Sequence, residues 1–407
     1  MKKIVALLLT AAVLMSFYGC RGGREDMTGD DSSVESGARS EEKAALDEVR
    51  KSDLACPDKT VALTEEAARL WLLAGGKLYA VCDSENEISG LSGNEKKLGK
   101  SGVVNAEEVL KLSPDQVLLD GSLPNAKELT EALSNAGIRC EDTTITSFDD
   151  YFSTVKNFCM MTKNAEAYEK AALNVRGRRT AIMRNAANEM PDLKLSLGKK
   201  KSKESGASGT ADGKESGTER SDNVTFELIR VSADGAAIAS NNDWVCSMLE
   251  DLGLVNLCAE EEPVAVTWKN AEKSRTTASH AAESGTAESS NTESGLSGEE
   301  SAPSEAQNTG TESGANGEQV SSANDREAFA KEIGKNPDFI FVIYCESEKQ
   351  YRKEFEELTD SIRGWNSLKA VKSNHMITLP KESFCTLPND AWDLPMEYLY
   401  QSIFLMG

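Results

Sequence analysis

The feature that most constrains this chain is an alternation of short, continuously apolar runs with amphipathic stretches of helical period. Thr60-Val-Ala-Leu63 is apolar, and Thr64 is a good N-cap for a helix from Glu65 to Ala74 that Gly75-Gly76 ends. Leu78 to Cys82 is a second strand, Ala106 to Leu112 a helix, and Gln116 to Asp120 a third strand; Asn125 to Ala136 is helical and Ile138 to Cys140 begins a fourth strand. Runs that are apolar on both faces, rather than at every second residue, belong to parallel strands covered by helices on either side. Helices follow at Ser147 to Met161 and at Ala165 to Asn188, the second capped by Asn164. Its Arg176, Arg178, Arg179 and Arg184 read as a solvated face. The alternation then restarts: strands at Val224 to Val231 and Ala236 to Ala239, a helix from Trp244 to Leu252, and a helix from Arg326 to Ile333. A strand at Phe339 to Tyr344, a helix at Glu348 to Leu358, a strand at Met376 to Leu379 and a last helix near Met396 to Phe404 complete it. The expected fold class is α/β: two lobes with parallel central sheets, joined by one long helix.

The alternation is interrupted by a different kind of sequence. Glu-Ser-Gly begins at Glu35, Glu204, Glu215, Glu283, Glu293 and Glu312, always within Ser-, Gly-, Thr- and Ala-rich stretches. Residues 270–324 hold nine Glu against only Lys273 and Arg275. Such segments have too little apolar surface to offset chain entropy, so disorder is expected near 199–222 and 270–324. The net charge of −22 argues against a nucleic-acid-binding surface and against a basic membrane-binding one.

At the N-terminus, Met1-Lys2-Lys3 precedes an apolar run from Ile4 to Phe17, which has the length of a signal-peptide core rather than of a membrane span. Gly19-Cys20 closes it as a lipoprotein cleavage site would, with Cys20 the lipidated residue. The expected organisation is a signal peptide over 1–20, a flexible tether over 21–54, an N-terminal lobe over 55–146, a helical connection over 147–190 and a C-terminal lobe over 191–407. Eight cysteines remain, without the close spacing of a zinc knuckle or redox motif; they read as small buried core residues, and any disulfide connectivity stays open. With only His280 and His375 present, an imidazole-rich site for a naked metal ion is excluded.

Several stretches together resemble the extracytoplasmic solute-binding proteins of ABC importers for ferric siderophores, haem and cobalamin. They are Val61-Ala-Leu-Thr-Glu-Glu-Ala-Ala-Arg-Leu-Trp-Leu-Leu-Ala-Gly75, Asn105-Ala-Glu-Glu-Val-Leu-Lys-Leu-Ser-Pro-Asp-Gln-Val-Leu-Leu119, Asp251-Leu-Gly-Leu-Val-Asn256, Asn336-Pro-Asp-Phe-Ile-Phe-Val342 and Gly364-Trp-Asn-Ser-Leu-Lys-Ala-Val371. The resemblance covers about 55–198 and 223–407. It implies two Rossmann-like lobes on a single rigid helix, a monomer anchored by Cys20, an ABC permease and its ATPase as partners, and a transported chelate or corrinoid as ligand, with no resident cofactor or metal. A surface adhesin or sensory receptor on the same scaffold, or a chelatase-like enzyme, are the alternatives. No phosphate-binding glycine loop or nucleophile elbow supports the enzyme.

Open α/β sheets bind ligands beyond the carboxyl ends of their strands. The candidate cleft residues are therefore Thr64, Ser84, Ser122, Asn241, Trp244, Tyr344, Phe384 and Trp392, with Trp71 and Trp365 assigned to the core; the resemblance adds Trp268, which stands where cobalamin-binding relatives place a ligand-stacking tryptophan. Cys385 and Thr386 stand where some relatives carry His and Tyr, and arginines are scarce in these loops, which points to a neutral or cationic ligand. The resemblance also implies one permease-docking carboxylate per lobe: Glu107, with Glu108 beside it, and Glu327, with Glu332 as runner-up.

Overall fold

The computed structural model describes residues 32–84, 87–100, 104–204, 223–258, 263–268 and 317–405. Cys20, the apolar run before it, and the central parts of both low-complexity inserts lie outside the described residues. The chain divides into a unit Met1–Ala45 and a unit Leu46–Gly407. Where a flexible tether was expected there is a helix, α1 (Ser32–Arg50). Its second half is rich in Ala, Glu, Lys and Leu, which favour helix. Its last turn is fixed by burial of Val49 and by an ion pair from Glu48 to Lys156 at 2.8 Å.

The first lobe has a five-stranded sheet built from β1 (Thr60–Ala62), β2 (Leu78–Asp83), β3 (Lys96–Lys100), β4 (Gln116–Leu119) and β5 (Arg139–Asp142). All are parallel, in the order β3-β2-β1-β4-β5. The crossovers are α2 (Glu65–Leu73), α3 (Ala106–Lys111) and α4 (Ala126–Asn135). Thr64 caps α2 as expected, accepting from the Ala67 N–H at 3.2 Å. Val61, Leu63, Ala80, Val109, Val117, Leu119, Leu129 and Leu133 form the core under one face. Strand β3 was not foreseen: Lys-Lys-Leu-Gly-Lys is an edge strand, and edge strands are kept charged to prevent pairing with other chains.

The connection is α5 (Phe148–Thr162) followed by α6 (Ala165–Tyr168), a π-helical turn over Glu169–Leu173, and α7 (Asn174–Glu204). Expected to stop near Asn188, this helix runs through Pro191 and into the first residues of the segment assigned to disorder. Proline removes one donor from the ladder, but Leu193, just beyond it, is buried and gives the continuing helix an apolar foothold.

The second lobe departs from the expected parallel sheet. Strands β6 (Thr225–Val231), β8 (Val255–Asn256), β10 (Phe339–Tyr344) and β11 (Met376–Leu379) are parallel. Strand β7 (Gly235–Ile238) runs antiparallel to β6, and β9 (Val264–Thr267) antiparallel to β7. Only Ser232–Asp234 separates β6 from β7, and so short a link permits a hairpin but not a crossover. The approach of β9 requires glycine at Gly235, where a Cβ would lie 1.9 Å from the Val266 carbonyl oxygen. The helices are α8 (Trp244–Asp251), α9 (Gly317–Ile333), α10 (Glu348–Ser361), α11 (Lys369–Lys372), α12 (Lys381–Phe384) and α13 (Asp393–Tyr400), the last continuing as a π turn over Gln401–Leu405. Helix α9 thus begins within the tract expected to be disordered to 324. No helix among the described residues is long and apolar enough to cross a membrane.

Two of the four arginines expected to face solvent instead tie the connecting helix to the second lobe. Arg178 holds Asp393 at 2.5 and 3.0 Å, and Arg179 donates through Nε to Asp251 at 2.9 Å while covering the Phe148 ring at 4.6 Å. Arg176 covers Phe152 at 4.9 Å; Arg184 is exposed.

Candidate functional site

The carboxyl edges of the two sheets converge on one aromatic cluster. Phe148 follows β5 by one short loop, and Trp392 lies in the loop after β11. Their rings meet edge to face at 5.6 Å, and Tyr151 stacks on Trp392 at 5.4 Å. Trp244 extends the cluster to Trp392 at 5.7 Å and lies parallel to Phe384 at 6.4 Å. The Tyr151 hydroxyl donates to the Ala171 carbonyl in the π turn at 2.7 Å, fixing the cluster to the connecting helix. Trp392 and Phe384 are 0% exposed, so in this conformation these two candidates are packed within the cluster rather than lining open space. Trp244 is half-buried at the margin.

On the first lobe the edge is polar and acidic. Asp142 Oδ1 accepts from the Gly121 N–H at 3.1 Å and from the Thr144 hydroxyl at 2.6 Å; Asp120 Oδ1 accepts from the Ser122 hydroxyl at 2.6 Å and from Thr144 at 3.0 Å. Gly121 leaves room for this, since a Cβ there would lie 2.7 Å from Asp142 Oδ2. Glu65 pairs with Arg69 at 2.7 Å and accepts from the Ser84 hydroxyl. Glu66 is half-buried, and burial, with Glu65 and Asp120 adding repulsion, raises its carboxyl above the ordinary value. Of the expected cleft residues here, Ser122 is exposed and Ser84 half-buried, whereas Thr64 is buried with its hydroxyl engaged as the helix cap.

On the second lobe the antiparallel β7 changes which loops share the carboxyl edge. The loop leaving β7 starts at the opposite edge, where Asn241 accepts from Asn256 Nδ2 at 2.9 Å. Asn256 is in β8, alongside the first residues of β6, so Asn241 is displaced from the edge where it was expected. The hairpin turn Ser232–Asp234, which was not foreseen, takes its place. Trp268 does reach this edge: its indole N–H donates to the Ser232 carbonyl at 2.8 Å and its backbone N–H to Asp234 at 3.0 Å. Tyr344 ends β10, nearly buried, edge to face with Phe355 at 6.2 Å. The three-residue gap between β6 and β7 was the signal that would have exchanged Asn241 for Ser232.

Behind this edge, Arg230 forms a two-point pair with Asp243, Nη2 to Oδ1 at 2.8 Å, and donates to the Phe384 carbonyl at 3.2 Å. A pocket of about 220 Å³ opens beside the pair, lined by Arg230, Ala237, Ala239, Ser240, Asn242, Asp243 and Pro263. That is below the ~300–1,000 Å³ usual for small-molecule sites, and its charges are already paired; it does not suit a macrocycle.

Glu107, in the first turn of α3, and Glu108 are exposed. Glu327 is exposed in the middle of α9, away from any helix N-terminus. Glu332 is buried and paired with Lys335, which removes it as an alternative docking group. Trp71 and Trp365 are core residues, as expected.

No protein-family model and no curated protein sequence matches this chain. Solved structures do. Staphylococcus aureus IsdE, complexed with heme, shares the fold with a TM-score of 0.52 and 12% identity, over 85% of this chain and 98% of that one. An ABC transporter substrate-binding protein from Listeria monocytogenes matches with a TM-score of 0.47 and 14% identity, over 85% of this chain and 98% of that one. The vitamin B12 binding protein BtuF of Vibrio cholerae matches with a TM-score of 0.47 and 15% identity, over 86% and 97%. These structural neighbours belong to the family that the sequence motifs resemble.

Proposed function

We propose that this protein is the extracytoplasmic, lipid-anchored substrate-binding component of an ABC importer, capturing an iron chelate (siderophore or haem) or a cobalamin and passing it to a permease. The observation that carries this reading is the convergence of two sheet edges on a shared aromatic cluster braced by one continuous helix. Open α/β sheets take ligands at those edges, and the shared fold with a heme-complexed protein agrees with it. The contacts proposed for the ligand are Ser84, Ser122, Trp244, Trp268 and Tyr344, joined by Ser232–Asp234. Glu65, Glu66, Asp120 and Asp142 give the first-lobe edge a negative field, which favours a neutral or cationic chelate over an anionic one. The protein acts as a monomer, and Glu107 and Glu327 offer one exposed carboxylate per lobe to basic pockets on the permease.

Ion pairs at the rim of an interface govern encounter more than the affinity of a remote site. Glu107→Arg combined with Glu327→Arg is therefore expected to abolish chelate uptake and transporter-stimulated ATP hydrolysis while leaving chelate binding in solution unchanged. Uptake at the unmodified rate by the double variant would remove the docking role.

A further inference from the structure

We propose that Cys345 and Cys385 form a redox-active dithiol that closes to a disulfide across the carboxyl edge of the second lobe. The two are half-buried, as is Cys140; Cys56 is exposed, and Cys82, Cys159, Cys246 and Cys258 are buried. Cys345 directly follows β10 and Cys385 caps the C-terminus of α12, just beyond the neighbouring strand β11. Each thiol is the leading influence on the acidity of the other. The guanidinium of Arg230 spans the pair: Nη1 lies 3.9 Å from Cys345 Sγ and donates to the Phe384 carbonyl, one residue before Cys385, at 3.2 Å. A disulfide needs Cα atoms about 4.4–6.8 Å apart, and one guanidinium nitrogen touching both Cys345 and the residue before Cys385 gathers the two cysteines into such a neighbourhood.

The arrangement also assigns the roles. The neighbouring Cys385 thiol and the Arg230 charge hold the Cys345 thiol below its ordinary pKa, against the opposing effect of burial. Cys385, beside Cys345 and itself desolvated, is held above its ordinary value. Thiolate is the nucleophile in exchange. With a small-molecule disulfide RSSR as oxidant, the Cys345 thiolate attacks one sulfur, the S–S bond breaks and RS⁻ leaves to take up a proton. Cys385 then loses its proton and attacks Cys345 Sγ, expelling the second RS⁻. The balance is one dithiol and one RSSR to one protein disulfide and two RSH. The product ties the end of β10 to the loop that carries Phe384 and Trp392, bracing the aromatic cluster between the lobes. This inference does not depend on what the cleft binds.

The test is to expose the reduced protein to glutathione disulfide, block free thiols, and map the cysteines by peptide mass. The expected result is a Cys345–Cys385 linked peptide pair, with Cys82, Cys159, Cys246 and Cys258 still free, and a higher melting temperature for the oxidised protein. Cys385→Ser should accumulate a glutathione adduct at Cys345, while Cys345→Ser should leave Cys385 unmodified over the same time. No linkage in the unsubstituted protein, a stable glutathione adduct there without closure, or a bridge to another cysteine would each overturn the proposal.

Discussion

Glu227 sits in an environment that does not favour the charged form of its carboxyl. It lies in β6, is 0% exposed, and neither carboxylate oxygen has a hydrogen-bond partner among the described residues. Burial, with repulsion from Glu332 added and Lys335 partly opposing, pushes its carboxyl from an ordinary 4.5 up to about 8. A carboxyl with a raised folded-state pKa is most compatible with the fold when protonated. Its stability contribution is complete below about 4.5, declines as pH rises, and is lost once pH passes about 8. Glu227→Gln removes that titration. The variant is expected to be more stable than the parent at pH 8, by on the order of 2–4 kcal/mol, with the advantage shrinking toward pH 5. Urea denaturation across that range checks this, and a pH-independent difference would contradict it. Nothing local to the strand expected at Val224 to Val231 foretells this, because which face Glu227 takes depends on how α9 and the turn at Lys335 close over the sheet.

Among the elements, the segment after β11 ties the second lobe to the connecting helices. Trp392 is fully buried between Phe148 and Tyr151 on one side and Trp244 on the other, and Asp393 receives Arg178 from the connecting helix. Trp392→Ala is expected to cost about 3–5 kcal/mol, with Trp392→Phe much milder. Both are read in thermal denaturation, and an alanine variant as stable as the parent would show that the cluster is not the joint. The elements that sequence reasoning located well, such as β10 and β11, owe their clarity to continuous apolar runs and to capping residues such as Thr64 and Asn164, whose effects are local. What it misplaced depended on partners distant in the chain. Arg178 and Arg179 read as solvated because Asp393 and Asp251 lie 215 and 72 residues away. Phe384 and Trp392 were placed in a cleft because their packing partners, Trp244, Phe148 and Tyr151, come from other elements. Strand β7 is the exception, since its three-residue link to β6 carried the direction of the strand, and with it the exclusion of Asn241 from the functional edge.

At the scale of the whole molecule, two lobes share one long helix, Ala165 through Glu204 with its π turn, and their sheet edges meet over a common aromatic floor. A helix that is continuous and pinned by Arg178 and Arg179 resists large hinge motion, so ligand capture is expected with only modest closure. The proposed anchoring is tested separately: Cys20→Ala is expected to move the protein from the membrane to the soluble or secreted fraction, and fractionation with unchanged membrane association would contradict the lipoprotein proposal. The central claim is capture of a metal chelate or corrinoid in the cleft, and the most direct measurement is native mass spectrometry with absorbance spectroscopy after exposure to haemin, cyanocobalamin and ferric siderophores in turn. The account predicts a one-to-one complex with one of these classes, carrying the absorbance of the bound chromophore and weakened when Trp268 or Trp244 is replaced by alanine. A protein that emerges from all three exposures with no ligand bound would contradict it.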